Sequence, residues 1–269
     1  GLIGIDNNES RVSIGAAALF CINAYSEFGN PLILNEEKRA VIDLPISGGN
    51  ENLPLWRFDL NQGMWVQSSL ASNNGNGYSG EIQQLGHYIL GKPFELIDLS
   101  CRVVDAQGIP LSQIKVDITC TSNGLNLPVY SGYTDSKGFF NGKLPKGIAL
   151  HIKLSSITCP QKSILKETPA LSQNTVLDDI VIDSNRKMIT VRVLCNDNLV
   201  EGSAILLKKN KQYVILDVES GETVFNLYNY ACELKDIEIV GIEMSTGKFS
   251  ANEPFVESNV LYSLDVCKN

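Results

Sequence analysis

The chain is 269 residues long, 43% hydrophobic and 19% charged, with a formal net charge of −8. That length holds two or three domains, each able to bury its own core, and the composition excludes a disordered chain. The acidic balance argues against nucleic acid as a partner, because phosphate binding needs clustered Lys and Arg. The densest basic spot, Lys208, Lys209 and Lys211, flanks a turn and reads as a solvated hairpin tip. No segment approaches the roughly 20 apolar residues of a membrane helix. A secretory signal is not seen either, and that does not place the protein in the cytoplasm.

In chain order, strand-like runs bounded by Gly, Asn, Pro or Ser recur about every 8 to 12 residues, the spacing of an all-β sandwich or barrel. Helical signals are nearly absent; Asn35 to Arg39 is too short to stand alone and reads as a turn. The first region carries a turn at Ser26-Glu27-Phe28-Gly29-Asn30-Pro31-Leu32, then alternating apolar positions at Val41, Ile42 and Leu44. Polar loops follow at Ser47 to Asn50 and at Ser72 to Gly77. Between them, Phe58-Asp59-Leu60-Asn61-Gln62-Gly63-Met64-Trp65 is an acidic loop closed by glycine before an aromatic strand.

The same grammar returns in the second region. Asp105-Ala106-Gln107-Gly108-Ile109-Pro110-Leu111 repeats the Gly-x-Pro-Leu turn, with Gly108 supplying a positive φ and Pro110 stopping any helix. Ile114, Val116 and Ile118 alternate after it, and Thr134-Asp135-Ser136-Lys137-Gly138-Phe139-Phe140 has hairpin chemistry. A fainter third copy runs through Ile189 to Cys195, a turn at Asn196-Asp197-Asn198, the strand Ala204 to Lys208 and the glycine-closed Leu216 to Gly221. Copies recurring at roughly 80 to 90 residues suit a string of sandwich domains and are too long for a solenoid. The expected divisions are 1–97, 98–184 and 185–269, with short linkers near Lys92 to Leu99 and near Asp183 to Arg186 and neighbouring modules in contact in a semi-rigid array.

Chemistry-bearing residues are sparse. Trp56 and Trp65 are the candidate ligand platform, because exposed indoles stack on the apolar faces of sugars; the competing reading is a sandwich core. His87 and His151, the only histidines, lie in strand-like runs without a second ligand at metal spacing and read as structural. Asp135-Ser136-Lys137-Gly138 lacks the alternating oxygen ligands and distal glutamate of a calcium loop and reads as a turn. No nucleophile elbow, phosphate loop or catalytic set is present, so neither a catalytic residue, a cofactor nor a metal is expected. The seven cysteines, Cys21, Cys101, Cys120, Cys159, Cys195, Cys232 and Cys267, form no C-x-x-C pair. Most share strand parity with apolar neighbours. Buried thiols and core disulfides both fit, and the odd count leaves at least one cysteine unpaired within the chain.

The second region resembles the carboxypeptidase regulatory-like domain, a transthyretin-like β-sandwich, through Asp105 to Leu111, Gly132-Tyr133-Thr134-Asp135, Gly138-Phe139-Phe140, Leu144-Pro145 and Leu177-x-Asp179-Ile180. The first region is similar to the segment that precedes such domains and to cartilage intermediate layer proteins, through Gly29-x-Pro31-Leu32, Leu44-Pro45-Ile46, Pro54-Leu55-Trp56-x-Phe58-Asp59, Gly63-x-Trp65 and Leu85-Gly86-His87-Tyr88. It departs from them where Tyr88-Ile89-Leu90 replaces a cysteine-bearing segment. The third region looks like the repeat that commonly follows. The resemblance implies three β-sandwich modules of a secreted or lipid-anchored surface protein of Gram-negative bacteria. It implies a disulfide between Cys120 and Cys159, a role in structural display or adhesion, and no transferable active site. The expected location is extracytoplasmic, the expected partner a surface protein or glycan, and membrane attachment only through a lipid anchor outside this stretch. The alternative function is a carbohydrate-binding accessory protein.

Overall fold

The computed structural model describes residues 2–35, 37–46, 50–122, 125–156, 163–182, 187–209, 212–227, 230 and 234–268. These residues form 23 strands and four sheets. In the first region lie β1 (Ile3–Ile5), β2 (Arg11–Ile22), β3 (Ala40–Leu44), β4 (Leu53–Asp59), β5 (Met64–Asn73), β6 (Tyr78–Ile82) and the long β7 (Gly86–Asp105). Next come β8 (Ile114–Thr121), β9 (Tyr130–Tyr133), β10 (Phe139–Pro145), β11 (Ala149–Ser156), β12 (Ser163–Thr168), β13 (Thr175–Val176) and β14 (Ile180–Ile182). The last group is β15 (Met188–Cys195), β16 (Asn198–Leu199), β17 (Ser203–Lys209), β18 (Gln212–Val218), β19 (Glu222–Asn226), β20 (Ile237–Glu243), β21 (Lys248–Phe249), β22 (Glu253–Pro254) and β23 (Leu261–Asp265). The protein is all-β and built of sandwich-like modules, as the strand spacing predicts.

In the first region the sheet runs β1-β2-β7-β4-β5-β6-β3, and β1 also pairs in parallel with β5. The five strands β1, β2, β7, β4 and β5 therefore close on themselves. Both faces of the central strands are buried. Ile14, Trp56, Trp65 and Ile89 fill the ring, while Leu55, Tyr78, Tyr88 and Leu90 pack on the other side under β3 and β6. Leu55 and Trp56 are consecutive, point to opposite faces and are both fully buried because β4 is covered on both sides; opposite them β5 bulges by one residue, Ser68.

Strand β7 replaces the first expected linker. Its pairing with β2 ends at Val12 opposite Glu95, and its pairing with β10 begins at Leu96 opposite Pro145, along the other edge, where the Lys146 N–H donates to the Glu95 carbonyl at 2.8 Å. Strands β13 and β14 then join it in parallel. Pro93 sits mid-strand without penalty. Its partner Ile14 donates its N–H to Leu2 at 2.8 Å, away from β7, so the missing donor of Pro93 falls on the edge facing away from β2. Gly91 is required there: a Cβ would stand 2.6 Å from the Gly15 carbonyl oxygen. The second expected boundary, Asp183 to Arg186, lies outside the described residues.

Across from β7, β10, β13 and β14 packs the sheet β12-β11-β8-β9, with Cys101, Val103, Val116, Ile118, Leu144 and Ile152 between them. The last region pairs a sheet of β15, β16, β19 and β23 with one of β17, β18, β20, β21 and β22. Glycine at 241 lets those layers approach, since a Cβ would meet that of Leu264 at 2.9 Å. The apolar core is contiguous from Leu99 to Val266, so the second and third regions share it. Tyr230 is buried at that junction and its hydroxyl hydrogen-bonds Ser112; burial pushes its pKa up.

One turn design is reused. The Asp105 carboxylate accepts the backbone N–H groups of Gln107 (2.8 Å) and Ile109 (2.9 Å), while Gly108, at φ 79°, donates to the Asp105 carbonyl at 3.0 Å. Asp135 repeats this with Lys137 (2.9 Å), Phe139 (2.8 Å) and Gly138 at φ 78°. Ser26 does so with Asn30 (3.2 Å) and Gly29, also at φ 78°. These are three-residue hairpin loops that end on a left-handed residue. After two of them the chain returns identically: Leu32 donates to Ala24 and Leu111 to Val103. The repeat of the Gly-x-Pro-Leu turn is thus a repeat of hydrogen bonds. The Asp59 loop differs, its Gly63 N–H reaching the Asp59 carbonyl one residue further on, at 2.8 Å.

The two turns of the second region are locked together by Thr134, whose buried hydroxyl donates to the Leu111 carbonyl (2.6 Å) and accepts from the Ile114 N–H (3.0 Å). Their glycines make a controlled comparison. A Cβ on Gly108 meets nothing within 4 Å, whereas one on Gly138 stands 2.6 Å from the Val103 carbonyl oxygen. Gly108→Ala is expected to cost about 1–2 kcal/mol, the left-handed backbone term alone. Gly138→Ala is expected to cost at least ~2 kcal/mol more, because a core strand must also shift. Urea denaturation of both variants checks this, and equal losses would contradict the packing.

Candidate functional site

Both tryptophans belong to the core, which corrects the platform expectation. Trp56 has no exposed surface and its Nε1–H donates to the Gly91 carbonyl at 2.9 Å. Trp65 is 9% exposed and meets Phe58 edge-to-face at 5.1 Å between centroids. The closed ring of strands turns both indoles inward, where stacking on a sugar is impossible.

The expected Cys120–Cys159 bridge is also corrected. Cys159 lies outside the described residues, but Cys120 is a free thiol on β8, half-buried opposite Leu150. Burial pushes the thiols of Cys101 and Cys120 up to about 11. The disulfide among the described residues joins Cys195 to Cys267, 72 residues apart. It follows from the parallel pairing of β15 with β23, which sets Leu194 opposite Asp265 and brings the next turn of chain beside Cys195. A bridge closing a loop of that length is worth ~4 kcal/mol in the chain-entropy account. Strand parity flagged Cys195 as inward-facing, but nothing local shows that the strand holding it pairs with one so distant.

His151 carries its Nδ1 3.2 Å from Glu167 Oε1 across β11 and β12, an exposed structural pair. His87 is exposed on β7, in register with Cys21 of β2. Among the described residues no group of three or more His, Cys, Asp or Glu side chains is arranged to hold a metal ion. The Asp135 loop spends its carboxylate on the turn.

What the sequence did not indicate is a cleft at the outer end of the first region. It has a volume of about 250 Å³ and is lined by Arg39, Arg57, Gln67, Glu81, Gln84 and Tyr88 among others. It adjoins a second cleft of about 500 Å³ walled by Ile33, Leu34 and Leu85; Gln83 and Gln84 line both. The Tyr88 hydroxyl donates to the Gln84 carbonyl at 2.7 Å and so fixes this loop against β7. The residues converge from β4, β5, β6, β7, the residue before β3 and the loop before β7, which no short motif records.

Thiol mapping tests this arrangement. Mass mapping of the non-reduced protein is expected to return the Cys195–Cys267 cross-link and free Cys21, Cys101 and Cys120, with Cys21 alkylated first and Cys101 only on unfolding. The raised folded-state pKa of Cys101 means that the folded chain holds this proton longer than the unfolded one. Its contribution to stability is full below about pH 9 and is lost as pH rises through about 11. Cys101→Ala is therefore expected to flatten that part of the stability–pH curve; an unchanged slope would contradict it.

No family model and no curated protein matches the chain. Among solved structures it is similar to shaft pilin SpaA from Lactobacillus rhamnosus GG, at 12% identity over 64% of this chain and 96% of that one, with a TM-score of 0.27. It is similar to a streptococcal ancillary pilin at 11% identity over 86% and 100% of the two chains, TM-score 0.27. The Bacillus anthracis TIE protein aligns at 13% identity over 80% of this chain and 47% of that one, TM-score 0.29. Alignments at these TM-scores carry no argument about function.

Proposed function

We propose that this is a non-enzymatic, extracytoplasmic protein of three consecutive β-sandwich modules, divided near residues 97 and 184, whose role is structural display or adhesion. The observation that carries this reading is mechanical continuity. One strand serves the first two modules, one core serves the second and third, and a disulfide ties the last strand to the start of its module. Such coupling resists force and proteolysis along the chain, which a display element needs. A disulfide persists in an oxidising compartment, which supports the extracytoplasmic part. The interlocked Asp105 and Asp135 turns support the resemblance to a carboxypeptidase regulatory-like domain, and the partner on this reading is another surface protein.

Treating intact source cells with a membrane-impermeant amine reagent tests the reading. Exposed lysines such as Lys143 and Lys146 are expected to be labelled without lysis, and the protein to carry an oxidised Cys195–Cys267 pair. Labelling only after lysis, with that pair reduced, would sink the proposal.

A further inference from the structure

The two adjoining clefts of the first region form a graded surface. At one end Arg57 has a side chain only 27% exposed, and its nearest carboxylate, Asp59, stands 3.6 Å away, beyond hydrogen-bond range. The oxygen facing Arg57 is Asp59 Oδ2, while Oδ1 accepts the N–H groups of Asn61 (2.8 Å) and Gln62 (3.2 Å) and holds the carboxylate in its turn. Arg57 thus holds a half-buried guanidinium with no hydrogen-bond partner among the described residues. A group of five donors in a fixed fork is left facing the cleft. Its charge reaches the neighbouring Tyr88 hydroxyl, where it opposes the upward push of burial on that pKa. Glu81, the carboxylate in the lining, is occupied by Arg39 at 2.9 Å. The Ser68 and Ser69 hydroxyls are occupied too, donating to the carbonyls of Leu55 (3.0 Å) and Glu81 (2.7 Å).

Beyond the guanidinium come the side-chain amides of Gln83 and Gln84, each offering a donor and an acceptor. Beyond those stand Leu34, Leu85 and Ile33, the last 92% exposed. Cation, amide and apolar wall follow in that order along one surface. The groups at the end of a polypeptide follow the same order: α-carboxylate, last backbone amide, last side chain. The Arg57 guanidinium is ion-paired with Asp59 but spends none of its N–H groups on a hydrogen bond among the described residues, so a ligand carboxylate can take the bidentate bonds that Asp59, at 3.6 Å, does not.

We propose that this cleft is a binding site for a peptide C-terminus ending in an apolar residue. Arg57 takes the carboxylate, the Gln83–Gln84 amides take the last peptide group, and Ile33, Leu34 and Leu85 take the terminal side chain. The proposal stands on the geometry of the cleft and holds whichever compartment the protein occupies.

Fluorescence polarisation on the full chain tests it, with a fluorescein-labelled hexapeptide ending in Ala-Leu as a free acid, the same peptide as its C-terminal amide, and one ending in Ala-Ser. The free acid is expected to bind at least tenfold more tightly than the amide and several-fold more tightly than the serine peptide. Arg57→Gln should weaken the acid tenfold or more while leaving the amide unchanged. Ile33→Ser, at an exposed position that does not disturb folding, should weaken the leucine peptide alone. Tyr213→Ser, on the distant β18, should change nothing. Equal binding of acid and amide, no binding of the acid at millimolar concentration, or an Arg57→Gln protein with unchanged affinity would overturn it. So would full displacement by glucuronate at the same affinity in wild type and Ile33→Ser, which would make the ligand an acidic sugar.

Discussion

The backbone ladder of β7 is the constraint on which the rest depends. One strand of 20 residues supplies hydrogen bonds to β2, β4, β10, β13 and β14. Each of those strands finds its place only once β7 is straight and in register. Its residues alternate to three destinations: Ile89 into the ring that holds the tryptophans, Tyr88 and Leu90 under β3 and β6, and Leu99, Cys101 and Val103 into the second core. Interior polar groups on it would be costly to leave unpaired, and every residue of it has a strand partner on one edge or the other: β2 as far as Glu95, β10 on the opposite edge from Leu96, and β14 from Val103. The first two regions are therefore joined by secondary structure, and the second and third by shared apolar packing around Leu99 to Val266.

The all-β class and the turns were legible because their chemistry is local. Glycine at φ near 78°, an Asp whose side chain accepts two N–H groups or a Ser that accepts one, and in two of the turns a proline after the glycine are read from six adjacent residues. That is why the Gly29 and Gly108 turns could be equated before their hydrogen bonds were known. The failure at Lys92 to Leu99 has the same origin. Gly91-Lys92-Pro93 has the composition of a linker, and only the partner strand shows why it is none. The glycine is there to admit the Gly15 carbonyl, and the proline has its missing donor on the side facing away from β2.

Trp56 and the disulfide failed for a complementary reason: both depend on long-range closure. The indole is buried because β1 returns to pair with β5, closing a ring whose interior no alternation pattern reveals. Cover on both faces of β4 adds to the difficulty by burying Leu55 and Trp56 in succession. Cys195 and Cys267 meet because β15 and β23 lie parallel across most of a module. The arginine cleft was invisible for the same cause, since Arg39 precedes β3, Arg57 lies on β4 and Gln84 in the loop before β7.

Hydrogen exchange across residues 86–105 tests the continuity of β7 most directly. The account predicts slow exchange, set by global unfolding, at amides on both sides of Pro93 and through Glu95 to Asp98, with no drop where β2 gives way to β10. Fast exchange confined to Lys92–Leu99 beside protected neighbours would mean a hinge between independent modules, and would contradict the account.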